Sequence, residues 1–332
     1  MPSLLSLFIR ENAGPDLDEE YIHQIDGLEF SPLFIVSDHR AGTTLLSELI
    51  ARTRRFNCMT LHHVLCRNHL LHDHVHGETQ AQRDKINQQF AAKDIRSRGI
   101  DNIAAGADTA VDYVSFLALS LGAGMLSRSL VPPFIEFCRK IQWITNPELP
   151  LVLKSCPDYR NFLFIKREIP NAKFVFLFRD PVRQLDSQLR IFQQSGGNEL
   201  MAMMSSRYSV VQNPVAMAMI RRLFSTTFGV NPGLSWLIRR MRIAQGQLLA
   251  DVPKLDKSDY IFLRYEDLMV DAQSHVERVL KFMGQALPAD ATLNAYIQPR
   301  KLSLLPDVEK RKDELSRLFK PTKELAGYDE GA

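Results

Sequence analysis

The stretch Phe34-Ile35-Val36-Ser37-Asp38-His39-Arg40-Ala41-Gly42-Thr43-Thr44-Leu45-Leu46 decides how the chain is read. An apolar run ends at Ser37, a short polar turn follows, and apolar residues then recur at helical spacing. Leu45, Leu46, Leu49 and Ile50 share one face of a helix expected over 43–54. A buried strand that turns into a helix start aims successive backbone N–H groups, and the positive end of the helix dipole, into one concavity. Gly42 lets the backbone approach an anion closely. Thr43 and Thr44 add hydroxyl donors. Arg40 adds a permanent charge in a planar fork suited to phosphate or sulfate oxygens. The ATP/GTP loop G-x-x-x-x-G-K-[ST] is a different arrangement, since its first glycine and its lysine have no counterpart here.

Outward from this loop, β-type runs at 33–37, 151–154, 173–178 and 260–264 each precede a turn and a helical pattern, and 56–60 is a weaker run of the same kind. That alternation predicts a parallel sheet covered by helices. Further helices are expected over 181–192, with Val182, Leu185, Leu189 and Phe192 on one face, and over 272–283, ending at Gly284. There is no fixed-period repeat, low-complexity tract or long linker, so residues 1–332 read as a single domain. Two helical stretches, 66–148 and 193–250, read as insertions. The second is Met-rich and broken at Gly196-Gly197 and Asn231-Pro232-Gly233.

A second motif begins on the run Phe174-Val175-Phe176-Leu177-Phe178, which delivers Arg179 to the carboxyl edge of the sheet, where open α/β sheets bind ligands. Asp180 suits an N-cap and Pro181 a first helical turn. Ser187 follows roughly two turns into that helix.

Together the two motifs resemble those of the superfamily of sulfotransferases that use 3′-phosphoadenosine-5′-phosphosulfate (PAPS), in its bacterial-type branch. Arg40-Ala41-Gly42-Thr43-Thr44-Leu45 is similar to its 5′-phosphosulfate loop, with Ala41 at the usual serine and His39 at the usual proline. Arg179 and Ser187 resemble the pair that holds the 3′-phosphate. Tyr265-Glu266-Asp267-Leu268 resembles a segment after the last core strand and is expected to cap a helix or orient a basic neighbour. Within Gln298-Pro299-Arg300-Lys301, Arg300 is the residue expected, by that resemblance, as a late basic contact to the 3′-phosphate. The resemblance covers 31–65, 150–195 and 258–330.

That resemblance implies a P-loop NTPase-like three-layer α/β sandwich, with a central parallel sheet flanked by helices. It implies PAPS as donor and 3′,5′-adenosine bisphosphate (PAP) as product, with no metal required. The acceptor class is left as a small molecule, lipid or carbohydrate carrying a hydroxyl or amine. The insertions 66–148 and 193–250 would form its site or a lid, with Met201, Met203, Met204, Met217 and Met219 as an adaptable apolar wall. Arg40 is assigned charge stabilisation, because arginine does not give up its proton. Lys154, at the end of Leu151-Val152-Leu153-Lys154, is placed to reach donor or acceptor oxygens. The superfamily's general base is a histidine or glutamate, in several branches about 20 residues past the loop, which here points to His62 or His63 without separating them.

Bulk properties set limits on this reading. Of 332 residues, 45% are apolar and the net charge is +3, so a sizeable core is available and a uniform basic field for nucleic acid is not. Cys58, Cys66, Cys138 and Cys156 match no disulfide framework or zinc spacing. Six of nine histidines lie between His62 and His76, again without a recognised zinc spacing. The start lacks signal-peptide features, and the apolar window 113–126, about 14 residues between Asp112 and Arg128, is too short to span a bilayer and is expected to be a buried helix. A cytoplasmic chain is expected, with no integral membrane segment, and a homodimer is left open. Two other functions fit the same loop: a P-loop kinase-like phosphotransferase, and a non-catalytic nucleotide-binding protein on this fold.

Overall fold

The computed structural model describes residues 12–96, 104–156, 158–194, 214–227, 229–298 and 303–328. Five strands form one sheet: β1 (Pro32–Val36), β2 (Asn57–Cys58), β3 (Leu151–Lys154), β4 (Lys173–Phe178) and β5 (Tyr260–Arg264). Their order is β2-β3-β1-β4-β5 and every pairing is parallel. Parallel neighbours require crossovers, and the crossovers are helical.

Side chains alternate across a strand, so a sheet covered on both faces needs apolar residues at consecutive positions. β1 meets that need. Leu33 and Ile35 enter one core with Val152, Val175, Leu177 and Leu263. Phe34 and Val36 enter the other with Leu151, Leu153, Phe174 and Phe176. On the first face lie α1 (Thr43–Arg52), through Leu46, Leu49 and Ile50, and α12 (Ala272–Phe282), through Val276, Val279 and Leu280. Each fully buried leucine or isoleucine contributes about 1.5–3 kcal/mol.

The opposite face carries α2 (Leu61–Leu65), α3 (Leu70–Val75), α4 (Thr79–Ala92), α5 (Tyr113–Ser120), α6 (Val131–Thr145) and α7 (Phe162–Glu168). A third cluster joins α8 (Pro181–Gln194), α10 (Pro232–Asp251) and α14 (Lys312–Leu318) through Leu185, Leu189, Leu237, Met241 and Leu315. Between these stand α9 (Pro214–Leu223), α11 (Tyr265–Val270) and α13 (Pro306–Glu309), and α15 (Lys320–Leu325) follows. The result is the α/β three-layer sandwich expected from the sequence.

Two local expectations shift. The run 56–60 shrinks to β2, because only Asn57 and Cys58 pair with Leu151 and Val152 of β3. The helix expected through 113–126 stops at Ser120, and Gly122 just beyond it takes a left-handed φ of 62°, a conformation that ends helices. Among the described residues, no helix is long and apolar enough to cross a membrane.

Strand order positions the site. β1 lies between β3 and β4, and chain crossovers depart to either side of it. The crevice at its carboxyl end is where such sheets bind ligands. Ile35 pairs with Lys154, the last residue of β3, and Arg179 directly follows β4.

Candidate active site at the carboxyl ends of the central strands

Gly42 is the residue before α1 and has φ 100°, while Arg40 has φ 70°. A Cβ on Gly42 would lie 2.3 Å from Cδ2 of Tyr265, so both the backbone conformation and the neighbouring ring exclude a side chain there. The loop is tied down by α8 and α10. Gln184 and Gln188 donate to the His39 carbonyl at 2.9 and 2.8 Å. The buried Asp38 carboxylate accepts from Arg240 at 2.9 and 2.8 Å, from Gln188 at 3.3 Å and from the His39 N–H at 2.7 Å. A buried carboxylate is tolerated because it is paired and hydrogen-bonded. The turn is therefore held in shape by protein groups of its own.

Arg179 and Ser187 both reach this loop. Arg179 donates from Nη1 to the Arg40 carbonyl at 2.8 Å, and Arg40 donates from Nε to Ser187 Oγ at 3.1 Å. The Arg179 guanidinium stacks 4.6 Å from the centre of the Tyr265 ring. Its Nε is buried without a hydrogen-bond partner among the described residues. Asp180 caps α8 as expected, accepting the Arg183 N–H at 2.9 Å. Glu266 accepts the Asp180 N–H at 3.1 Å and the Tyr328 hydroxyl, and Asp267 pairs with Arg264 at 2.6 Å. The Tyr265-Glu266-Asp267 segment thus orients a helix start and two arginines.

Lys154 is only 4% exposed. It donates from Nζ to Thr44 Oγ1 at 3.4 Å and pairs with Asp112 Oδ1 at 3.0 Å. Thr43 Oγ1 lies 3.6 Å from Cys156 Sγ. Burial, reinforced by the nearby Asp112 charge, pushes the Cys156 thiol up to about 12, so it stays protonated. Ala41 is buried and Leu45 packs against the α1–α12 core.

His62 and His63 lie in α2 and are both buried. His63 Nδ1 accepts the Thr60 N–H at 3.1 Å in a capping box, and burial, then the neighbouring His62, holds its pKa well below the ordinary value. Burial, then Arg83, pulls His62 down to about 4, and its Nε2 has no partner among the described residues. Arg300 lies outside the described residues, as do Met201, Met203 and Met204. Met219 is at the surface, 64% exposed. His69 is engaged by Asp73 at 2.5 Å. Among the described residues one group, His72, Asp73 and Glu78, brings metal-ligand atoms within 4.8 Å of one another. Asp73 there already bonds both His69 and His72.

Sequence reasoning missed Asp112, Asp38, Gln184, Gln188 and Arg240. Gln184 and Gln188 had a readable signal, lying four apart beside Ser187 on the polar side of an expected helix. Asp112 was visible only as the polar edge of an apolar run. It arrives because the segment after β2 pairs with residues 109–111: Thr60 bridges Ala110, and Val111 donates to the Met59 carbonyl at 3.2 Å.

Residues 32–212, more than half the chain, match the profile described as the Sulfotransferase family. The fold is similar to that of sulfotransferase STF9 from Mycobacterium avium, with a TM-score of 0.58, 14% identity, and coverage of 97% of this chain and 81% of that one. It is also similar to sulfotransferase STF1 from Mycobacterium tuberculosis H37Rv, with a TM-score of 0.51, 15% identity, and coverage of 95% and 82%. No curated protein matches the sequence. With that match over more than half of its length, and a parallel sheet of the same fold, the chain belongs to the sulfotransferase family.

Proposed function

We propose that the chain moves a sulfuryl group from PAPS to an acceptor hydroxyl. The observation that carries this reading is the convergence of three cations on one turn: Arg40 within it, Lys154 on Thr44, and Arg179 on the Arg40 carbonyl. Bound PAPS would supply the activated sulfuryl group. The residues present suit such a ligand, because Gly42 leaves a cradle that a Cβ would fill and Arg179 Nε is a buried donor with no partner among the described residues.

In this reading the amide groups at the start of α1, with the Thr43 and Thr44 hydroxyls, hold the 5′ end. Arg179 and Ser187 hold the 3′-phosphate. Arg40 lies between the two ends and stabilises charge that develops on transfer, as does Lys154. Asp112 is the proposed general base. Its side chain is about a quarter exposed and sits against Lys154, so an acceptor at the rim can reach it. His62 and His63, the candidates from sequence, are disfavoured by burial, by the Thr60 cap and by their lowered basicity. The helices of 66–148 and 193–250 are proposed to bound the acceptor.

The test is transfer from PAPS radiolabelled on sulfur to a panel of phenol, alcohol, amine, lipid and sugar acceptors. Label should enter at least one class and be lost in Arg40→Ala. Binding of PAP without transfer to any class would instead identify a non-catalytic nucleotide-binding protein.

A further inference from the structure

Eleven large apolar side chains are exposed among the described residues, and six of them lie in one short stretch: Val215, Met219, Leu223, Val230, Trp236 and Ile243. Each is more than half exposed. Val215, Met219 and Leu223 recur every four residues and form one stripe along α9. Trp236 continues the patch onto α10. Its ring packs edge-on against Phe224, at 6.1 Å between centroids, and against Phe192, at 6.3 Å. Ile243 lies two turns farther along α10 on the same side.

Within this stretch the charge has one sign, and the acidic neighbour Asp307 is taken by Thr226 and Asn231. Residues 214–250 contain Arg221, Arg222, Arg239, Arg240 and Arg242 and no aspartate or glutamate. Arg240 is taken by Asp38. Arg239 and Arg242, with Arg311 of the segment before α14, line an open groove of about 280 Å³ whose one acidic member, Glu314, is already bidentate on Arg311. Among the described residues no carboxylate pairs with Arg239 or Arg242.

We infer that the outer face of α9 and α10 docks on an anionic phospholipid surface, with the apolar stripe and Trp236 entering the headgroup boundary and Arg239 and Arg242 meeting phosphates. A basic amphipathic face with leucine, methionine and tryptophan on its apolar side is the chemistry that binds there. Tryptophan favours that boundary because its ring is apolar and its N–H polar. A second copy of the chain fits less well. Isologous pairing of this face would bring Arg239 and Arg242 of both copies together, while Asp307 and Glu314 are already engaged by Thr226, Asn231 and Arg311. Nucleic acid would leave the apolar stripe uncovered. Trp236 and Ile243, at i−4 and i+3, flank Arg240, the residue that holds the phosphate loop through Asp38, so a docked surface would lie beside the site.

The experiment is co-sedimentation of the full chain with phosphatidylcholine vesicles, with and without phosphatidylglycerol, at low and high salt. The protein should pellet only with the anionic vesicles. High salt or Arg239→Glu with Arg242→Glu should each lower the bound fraction by about tenfold or more. Met219→Gln with Ile243→Gln should weaken binding at unchanged melting temperature, since both side chains are exposed. In Trp143→Phe, which leaves Trp236 as the one tryptophan, emission should shift to the blue on adding anionic vesicles. Equal binding to neutral and anionic vesicles, or binding to neither, would overturn the proposal. So would concentration-dependent dimers without lipid that these same substitutions abolish, which would assign the face to a second copy. None of these readouts depends on sulfuryl transfer, so failure of the activity leaves the docking result intact.

Discussion

Arg40 of the phosphate loop donates from Nε to the hydroxyl of Ser187 in α8, at 3.1 Å. By the family resemblance these residues belong to opposite ends of the nucleotide, one at the 5′-phosphosulfate and one at the 3′-phosphate. Their contact, with Arg179 anchored on the Arg40 carbonyl at 2.8 Å, joins the two proposed anion sites into one surface. A charged oxygen is a stronger partner for the Arg40 guanidinium than the neutral Ser187 hydroxyl is.

Arg40 separates function from folding. Its φ of 70° is unfavourable for any residue with a side chain. Arg40→Gly relieves about 1 kcal/mol of that strain, which offsets part of what is lost with the Ser187 hydrogen bond and the other contacts of the side chain, so the fold should survive. Turnover should fall by about 10²–10³-fold or more. Denaturant unfolding alongside transfer assays checks both, and near-normal transfer in either Arg40→Gly or Arg40→Ala would remove Arg40 from the chemistry.

Gly42→Ala should do the reverse and damage the scaffold. It places a side chain at φ 100° and 2.3 Å from the Tyr265 ring. The conformational part costs about 1–2 kcal/mol, and displacing Tyr265 from Arg179 adds to it. Melting temperature and PAP affinity should fall together.

Asp112→Asn keeps the shape of the Lys154 partner and removes a base. Transfer should drop by about 10²–10⁴-fold while PAP binding holds within a few-fold. His62→Gln should leave transfer within about tenfold of wild type by the same argument. If His62→Gln has the larger effect, the base assignment reverses.

Stability should depend on pH through His69. Burial opposes its charge, but hydrogen bonds to Asp73, Cys66 and the Asn12 carbonyl outweigh burial and raise it from 6.5 to about 10. The folded chain therefore holds this proton more tightly than the unfolded chain. The stabilisation is complete below pH 6.5 and is lost as pH rises towards 10. Melting temperature should fall across that window, and His69→Gln should flatten the slope.

Much of the site was legible where chemistry is contiguous. The loop 37–44, the Arg179–Ser187 spacing and the strand ending in Lys154 each lie within a single strand–turn–helix unit, and periodicity places them. Asp112 was not legible, because its approach to Lys154 depends on the pairing of Thr60 with Ala110. Nor was the Asp38–Arg240 pair, which joins the turn after β1 to α10. His62 and His63 stand at a suggestive distance past the loop, yet the Thr60 capping box and the packing of α2 decide where their rings go. Sequence spacing carries no information about that choice.

Calorimetric titration of the wild-type chain with PAP and with AMP tests most directly whether one nucleotide is gripped at both ends. PAP should bind about 100-fold more tightly than AMP, close to 3 kcal/mol, and Arg179→Ala should erase the difference. Equal affinity for the two nucleotides, or tighter binding of ATP with magnesium than of PAP, would contradict the account.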